Sequence, residues 1–207
     1  MESFDQPVPA NPDATGDLDE VELARSQEYS LLSSLLARAP DQALLERLAD
    51  LRGDASPLGL AHAAVAEAAS RVSAAQVDRE FFDLFIGLGR GELLPYGSYY
   101  LTGFLHERPL ARLREDLVRL GLEREAGQAE PEDHAAILCE VMAGLVSRRF
   151  PAAPGADREL FEKHLLPWIG RFFIDLERAE TADFYRRIGT LGRAFVDMET
   201  EAFALPT

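Results

Sequence analysis

The run Glu130-Pro-Glu-Asp-His134, continued by Ala-Ala-Ile-Leu-Cys-Glu140, holds the densest set of side chains that could do chemistry. Carboxylates beside an imidazole can ligate a metal, move protons, or accept hydrogen bonds from a guanidinium. If a helix opens at Pro131, His134, Ile137, Leu138, Val141 and Leu145 share one apolar stripe, and Asp133 and Glu140 share a neighbouring flank. An ordinary helix start explains the same letters: acidic residues complement the macrodipole, proline is tolerated, and His134 becomes a core histidine bonded to Asp133 or a carbonyl. The spacing matches no familiar ligand set, so no metal is expected. The functional alternatives are a recognition edge at the rim of an apolar groove and a metal- or nucleotide-dependent hydrolase using Glu130, Asp133, His134 and Glu140.

A second segment pairs Phe81-Phe-Asp-Leu-Phe-Ile-Gly87 with Leu94-Pro-Tyr-Gly-Ser-Tyr-Tyr-Leu101. Such stripes usually form core. Leu93 to Tyr96, however, lie in a glycine-rich loop where apolar side chains are harder to hide, and such a loop can wall a groove for an apolar peptide. Other chemistry is missing. With Lys163 the only lysine, no GxxxxGK[ST] loop can occur, and there is no HExxH. Gly-Leu-Gly-Arg-Gly at 87–91 lacks the context of a dinucleotide fingerprint. Cys139 has no basic neighbour and reads as a packed thiol. No catalytic residue and no cofactor is assigned.

The elements around these residues read as helices, and no period-two segment of useful length occurs. Tyr29, Leu32 and Leu36 share a face with Leu18 and Val21, with Arg25 at its edge, and Pro40 ends that helix. Asp41 caps a second helix holding Leu44, Leu45 and Leu48. A third, alanine-rich helix reaches about residue 75, and a short apolar one spans Asp78 to Gly87. Ser98 is expected to cap an aromatic helix over 99–105, and Pro109 to start one that Gly121 ends. After the Pro131 helix, two more run over 155–178, with a kink at Pro167, and 181–204. The fold class is all-α: one globular bundle of about eight or nine helices. Residues 1–17, with three prolines, four acidic residues and no base, read as a flexible acidic tail ahead of a single domain over 18–207. Long connections at 122–130 and 150–156 would allow helix exchange, so monomer and swapped dimer are both compatible.

Composition narrows the partners. The chain has 207 residues and a net charge of −15, from 36 acidic and 21 basic residues. That charge opposes a phosphate backbone and favours a basic partner, so no nucleic acid is expected. One cysteine and no basic-then-apolar leader suggest the cytoplasm, and no apolar run is long enough to span a membrane.

Phe82-Asp-Leu-Phe-Ile-Gly87, Pro95-Tyr-Gly-Ser-Tyr-Tyr-Leu101, Arg119-Leu-Gly-Leu122 and, above all, Glu130-Pro-Glu-Asp-His134 occur here in one order. In that order the sequence resembles the TorD/DmsD family, which includes the nitrate reductase assembly protein NarJ. The resemblance spans about residues 18–200. It implies a helical-bundle cytoplasmic chaperone whose partner is the catalytic subunit of a molybdopterin oxidoreductase. The chaperone would bind that subunit's N-terminal, often twin-arginine, signal peptide and hold the apo form for cofactor insertion. Glu130, Pro131, Asp133 and His134 would lie at the peptide site, and Leu84, Phe85, Gly87, Tyr96, Ser98 and Tyr99 would shape the adjoining apolar surface. Asp133 would suit an arginine fork, and His134, titrating near neutrality, would make affinity depend on pH.

Overall fold

The computed structural model describes residues 18–122 and 130–205. The proposed tail over 1–17 and most of the 122–130 connection lie outside the described residues. Among the described residues ten α-helices follow in order: α1 Glu20–Ala37, α2 Gln42–Ala49, α3 Pro57–Ala69, α4 Ala74–Phe81, α5 Gly97–Thr102, α6 Arg108–Arg119, α7 Ala135–Val146, α8 Ala156–Leu160, α9 Ile169–Arg178 and α10 Phe184–Ala204. No strand occurs among the described residues; one isolated bridge pairs Tyr96 with His134.

Local chemistry sets many boundaries. Asp19 opens α1 with a reciprocal cap: its carboxylate accepts from the Glu22 N–H at 2.7 Å, and Glu22 accepts from the Asp19 N–H. Asp41 caps α2 as predicted, at 2.8 Å from the Leu44 nitrogen. Gly121 sits just past α6 at φ +70°, with its N–H and that of Leu122 returned to Val118 and Leu117.

Several boundaries differ from expectation. The third helix stops at Ala69, because the Gln76 side chain takes the Ser73 N–H and starts α4 there. The Phe82–Ile86 stretch continues α4 as a π turn that Gly87 closes at φ +63°. The single helix expected over 155–178 is divided, which raises the predicted count to ten. A second π turn over Phe161–Leu165 shifts the register, and Pro167, which has no N–H, completes the break before α9.

Helix α10 forms the spine. It packs along α9 and α3 and touches α1 and α4, while α7 lies along α1. Phe184, Ile188, Leu191 and Phe195 are buried along one face of α10, whereas Met198, which the 3.6-residue spacing also puts in this register, is exposed. On α1, Tyr29, Leu32 and Leu36 are buried as expected, but Val21 is exposed. Helix α7 is buried on nearly every side, broader than the stripe its sequence suggests. A Cβ on Gly192 would meet the Phe173 ring at 2.2 Å, so the absence of a side chain lets α10 approach α9.

Long-range polar contacts lock this arrangement. Glu80, on α4, accepts from the N–H groups of Asp183, Phe184 and Tyr185, between 2.7 and 3.1 Å, and so caps α10 from another element. Glu199, fully buried on α10, accepts from the Arg25 Nε at 2.7 Å and from the Tyr29 hydroxyl at 2.9 Å. Arg25 also reaches Asp157 at 3.1 Å, which ties α1 to α8.

Candidate functional site

Two chain segments, around Pro95 and Asp133, are stitched together at one end of the bundle. The Ala135 N–H donates to the Pro95 carbonyl at 2.8 Å, and the Gly97 N–H donates to the Asp133 carbonyl at 2.9 Å. This places Tyr96 against His134, with ring centroids 5.0 Å apart and edge to face. Asp133 Oδ2 accepts from the Ser98 N–H at 2.7 Å, so the cap of α5 comes from 35 residues downstream. Ser98 is therefore not the predicted cap. It lies inside the first turn, fully buried, and its hydroxyl has no hydrogen-bond partner among the described residues.

His134, rather than Pro131, marks the start of α7. Its Nδ1 accepts from the Ala136 N–H at 3.1 Å, which puts the proton of the neutral ring on Nε2. Pro131 belongs to the preceding turn, where its carbonyl accepts the His134 N–H at 3.1 Å. Burial pushes the His134 pKa down, against the opposing pull of Glu130 and Asp133. The sequence suggested a titration near neutrality; burial moves it below the ordinary imidazole value. Glu130 accepts from the Tyr96 hydroxyl, and burial followed by this contact raises the Tyr96 pKa.

Tyr96, Ser98, Glu130, Pro131, Asp133 and His134 thus come together. Tyr99 lies one turn further along, with the Arg90 guanidinium 5.4 Å from its ring centre and bonded to its hydroxyl at 3.0 Å. Leu84 is fully buried, and Phe85 packs against Phe81, Phe172 and Tyr185. Leu84 therefore offers no surface, whereas Phe85 is half-buried at the edge of the core. Gly87 makes the turn that follows, where a Cβ would meet the Arg90 carbonyl at 2.1 Å. Glu140 does not join the cluster. Asp133 lies outside the helix, so the two share no flank, and Glu140 is exposed, 3.9 Å from Arg149. Among the described residues no group of three or more His, Cys, Asp or Glu side chains is placed to hold a metal ion. Cys139 is buried, and burial pushes its thiol up to about 12.

On the other side of Asp133 a groove of about 390 Å³ runs between α5, α6 and the approach to α9. Gly97, Leu101, Leu113 and Trp168 give it apolar walls, and Asp116 and His164 face each other across 2.6 Å. Sequence reasoning missed Trp168, Asp116 and His164 as lining. The available signal was Lys163-His164, a charged and polar interruption in the most apolar stretch of the chain. Gly97 lets α5 approach closely here, since a Cβ would sit 3.0 Å from the Trp168 indole nitrogen.

Burial lowers the His164 pKa to about 4, with Lys163 and Arg119 adding to the effect. A histidine whose folded pKa is depressed below its unfolded value stabilises the fold above the unfolded value, and that stability is lost as pH falls. His62 acts the other way: its bond to Glu28 raises its pKa, so its contribution is complete below the unfolded value and is lost as pH rises through the folded one. Thermal unfolding at pH 7 and pH 5 checks the balance. His164→Gln, which keeps a donor for Asp116, is expected to reduce the acid-side loss by about 1 kcal/mol after allowance for partial exposure. An unchanged pH dependence would contradict this assignment.

Comparison with known proteins places this arrangement. The all-helical fold matches the crystal structure of a chain described as a redox enzyme maturation protein from Archaeoglobus fulgidus, with a TM-score of 0.52 and 21% identity over 85% of this chain and 93% of that one. The family model for the nitrate reductase delta subunit matches residues 51–174, more than half of the chain. The chain belongs to that family, and with it to the TorD/DmsD proteins. It is 25% identical to the chaperone protein TorD of Vibrio atlanticus over 87% of this chain and 94% of the relative, and 30% identical to TorD of Vibrio cholerae over 58% and 59%. No helix among the described residues is long and apolar enough to cross a membrane.

Proposed function

We propose that this chain is a non-catalytic cytoplasmic chaperone for the catalytic subunit of a molybdopterin oxidoreductase. It grips the N-terminal leader of that subunit, often a twin-arginine signal, and holds the apo form until cofactor is inserted, before export or assembly. It acts as a monomer or a helix-swapped dimer. Family membership and relatives named as chaperones support the general role. The observation that carries the peptide reading is the buried Asp133 carboxylate, fixed by the Tyr96–His134 bridge beside an open groove. An acidic receptor with an apolar furrow suits a leader with a basic start and an apolar middle, and a net charge of −15 speeds its capture.

Affinity capture with the tagged full-length chain in its native cell, followed by identification of the retained protein, tests the client class. A molybdopterin catalytic subunit is the expected partner. Repeated recovery of none, under conditions in which such subunits are expressed, would contradict the proposal.

A further inference from the structure

We propose that residues 88–91 form a strap, latched by Arg90 onto the Tyr99 ring, that closes the Tyr99 face of the apolar surface until a partner displaces the guanidinium. This rests on the chaperone reading above, in which Tyr99 belongs to the peptide surface, and adds what a peptide must move to reach it.

The strap is clamped at both ends and loose between them. The Gly87 N–H donates to the Phe82 carbonyl at 2.7 Å, and the N–H groups of Glu92 and Leu93 return to the carbonyls of Asp83 and Leu84 at 3.2 and 2.8 Å. Gly91 is held against the π turn, where a Cβ would meet the Leu84 carbonyl oxygen at 2.6 Å. Among the described residues no backbone group of 88–91 is hydrogen-bonded to another backbone group. Between the clamps Gly89 takes φ +96° with open space around it, a conformation that side chains resist, and it supplies a hinge. Leu88, beside it, is 99% exposed and gives the strap no packing.

One side chain therefore holds the strap down. The Arg90 guanidinium lies over the Tyr99 ring, 5.4 Å from its centre, and donates to the hydroxyl at 3.0 Å. Among the described residues it pairs with no carboxylate, although 36 of the 207 residues in the sequence are acidic. Glu92, the nearest in sequence, is committed elsewhere: its oxygens accept from the N–H groups of Glu180 and Thr181 and from the Thr181 hydroxyl. Tyr99 also packs edge to face on Tyr100 at 5.9 Å, so the ring keeps its place when the guanidinium leaves. An exposed cation–π contact with one hydrogen bond leaves the open form at roughly a tenth of the molecules, and a partner that binds only this form loses about tenfold in apparent affinity.

Trypsin reads the latch directly, because it cuts after Arg90 only when that side chain is free to enter the protease. Digestion of the folded full-length chain is expected to cut after Arg90 about fivefold faster in Tyr99→Leu, which removes the ring and its hydroxyl, and about twofold faster in Tyr99→Phe, which keeps the ring. Cutting after Arg52, exposed in the α2–α3 connection, is expected to keep its rate in both variants and so reports an intact fold. Titrated with the molybdopterin subunit recovered by capture from the native cell, Arg90→Ala is expected to bind about fivefold more tightly than the unaltered chain. Equal rates of cutting after Arg90 in the variants and the unaltered chain would overturn the latch. Faster cutting in the Tyr99 variants with unchanged affinity in Arg90→Ala would overturn the gate and leave the chaperone reading standing. If no molybdopterin subunit is captured, the chaperone reading falls and the gate falls with it, whatever the trypsin rates.

Discussion

Arg25→Met is expected to destabilise the fold by about 3–5 kcal/mol in urea unfolding, because it leaves a buried carboxylate without its cation. Glu199 has 0% exposure, and Arg25 reaches it through two nitrogens, at 2.7 and 2.9 Å. The Tyr29 hydroxyl gives it one further bond, which cannot neutralise the charge. Joint replacement of Arg25 and Glu199 by methionine removes both the charge and its partner, so the double variant is expected to be more stable than Arg25→Met alone. A single variant within about 1 kcal/mol of the parent would show that water or a local shift compensates Glu199.

Trp168→Ala carries a loss of similar size, about 3–5 kcal/mol by thermal or urea unfolding. The indole is 1% exposed, lies 5.6 Å from the Tyr100 ring centre and 6.3 Å from that of Phe172, and donates to the His164 carbonyl at 2.6 Å. It also meets α5 at Gly97, so its removal leaves a cavity against the element that Asp133 caps. Trp168→Phe keeps a ring on these neighbours and loses the N–H bond, and a clearly smaller loss is expected. Equal losses for the two variants would assign the effect to the hydrogen bond rather than to packing.

Helices whose signals are local were legible in the sequence. Asp41, Pro109 and Gly121 mark boundaries within a turn of their own helices, and the α10 apolar register follows from 3.6-residue spacing alone. The π turns at Phe82–Ile86 and Phe161–Leu165 have the same apolar spacing as the α-helical turns beside them, so nothing in the local letters marks them. Glu80 and Asp133 act as caps for helices about 100 and 35 residues away, and no capping rule based on neighbouring letters can find them. The Glu130–His134 cluster was visible as a group. Its geometry was not, because Pro131 suggested the helix start that His134 provides. The groove depends on α6 meeting the second π turn, with Asp116 and His164 48 residues apart, so only the packed structure brings its walls together.

Calorimetric titration of the full-length chain with an apo molybdopterin catalytic subunit, with and without its N-terminal leader, tests the central claim most directly. The account predicts micromolar or tighter binding of the intact subunit, about −8 kcal/mol or stronger, and affinity at least about tenfold weaker once the leader is removed. Equal affinity for the two forms, or no binding of the intact one, would contradict it.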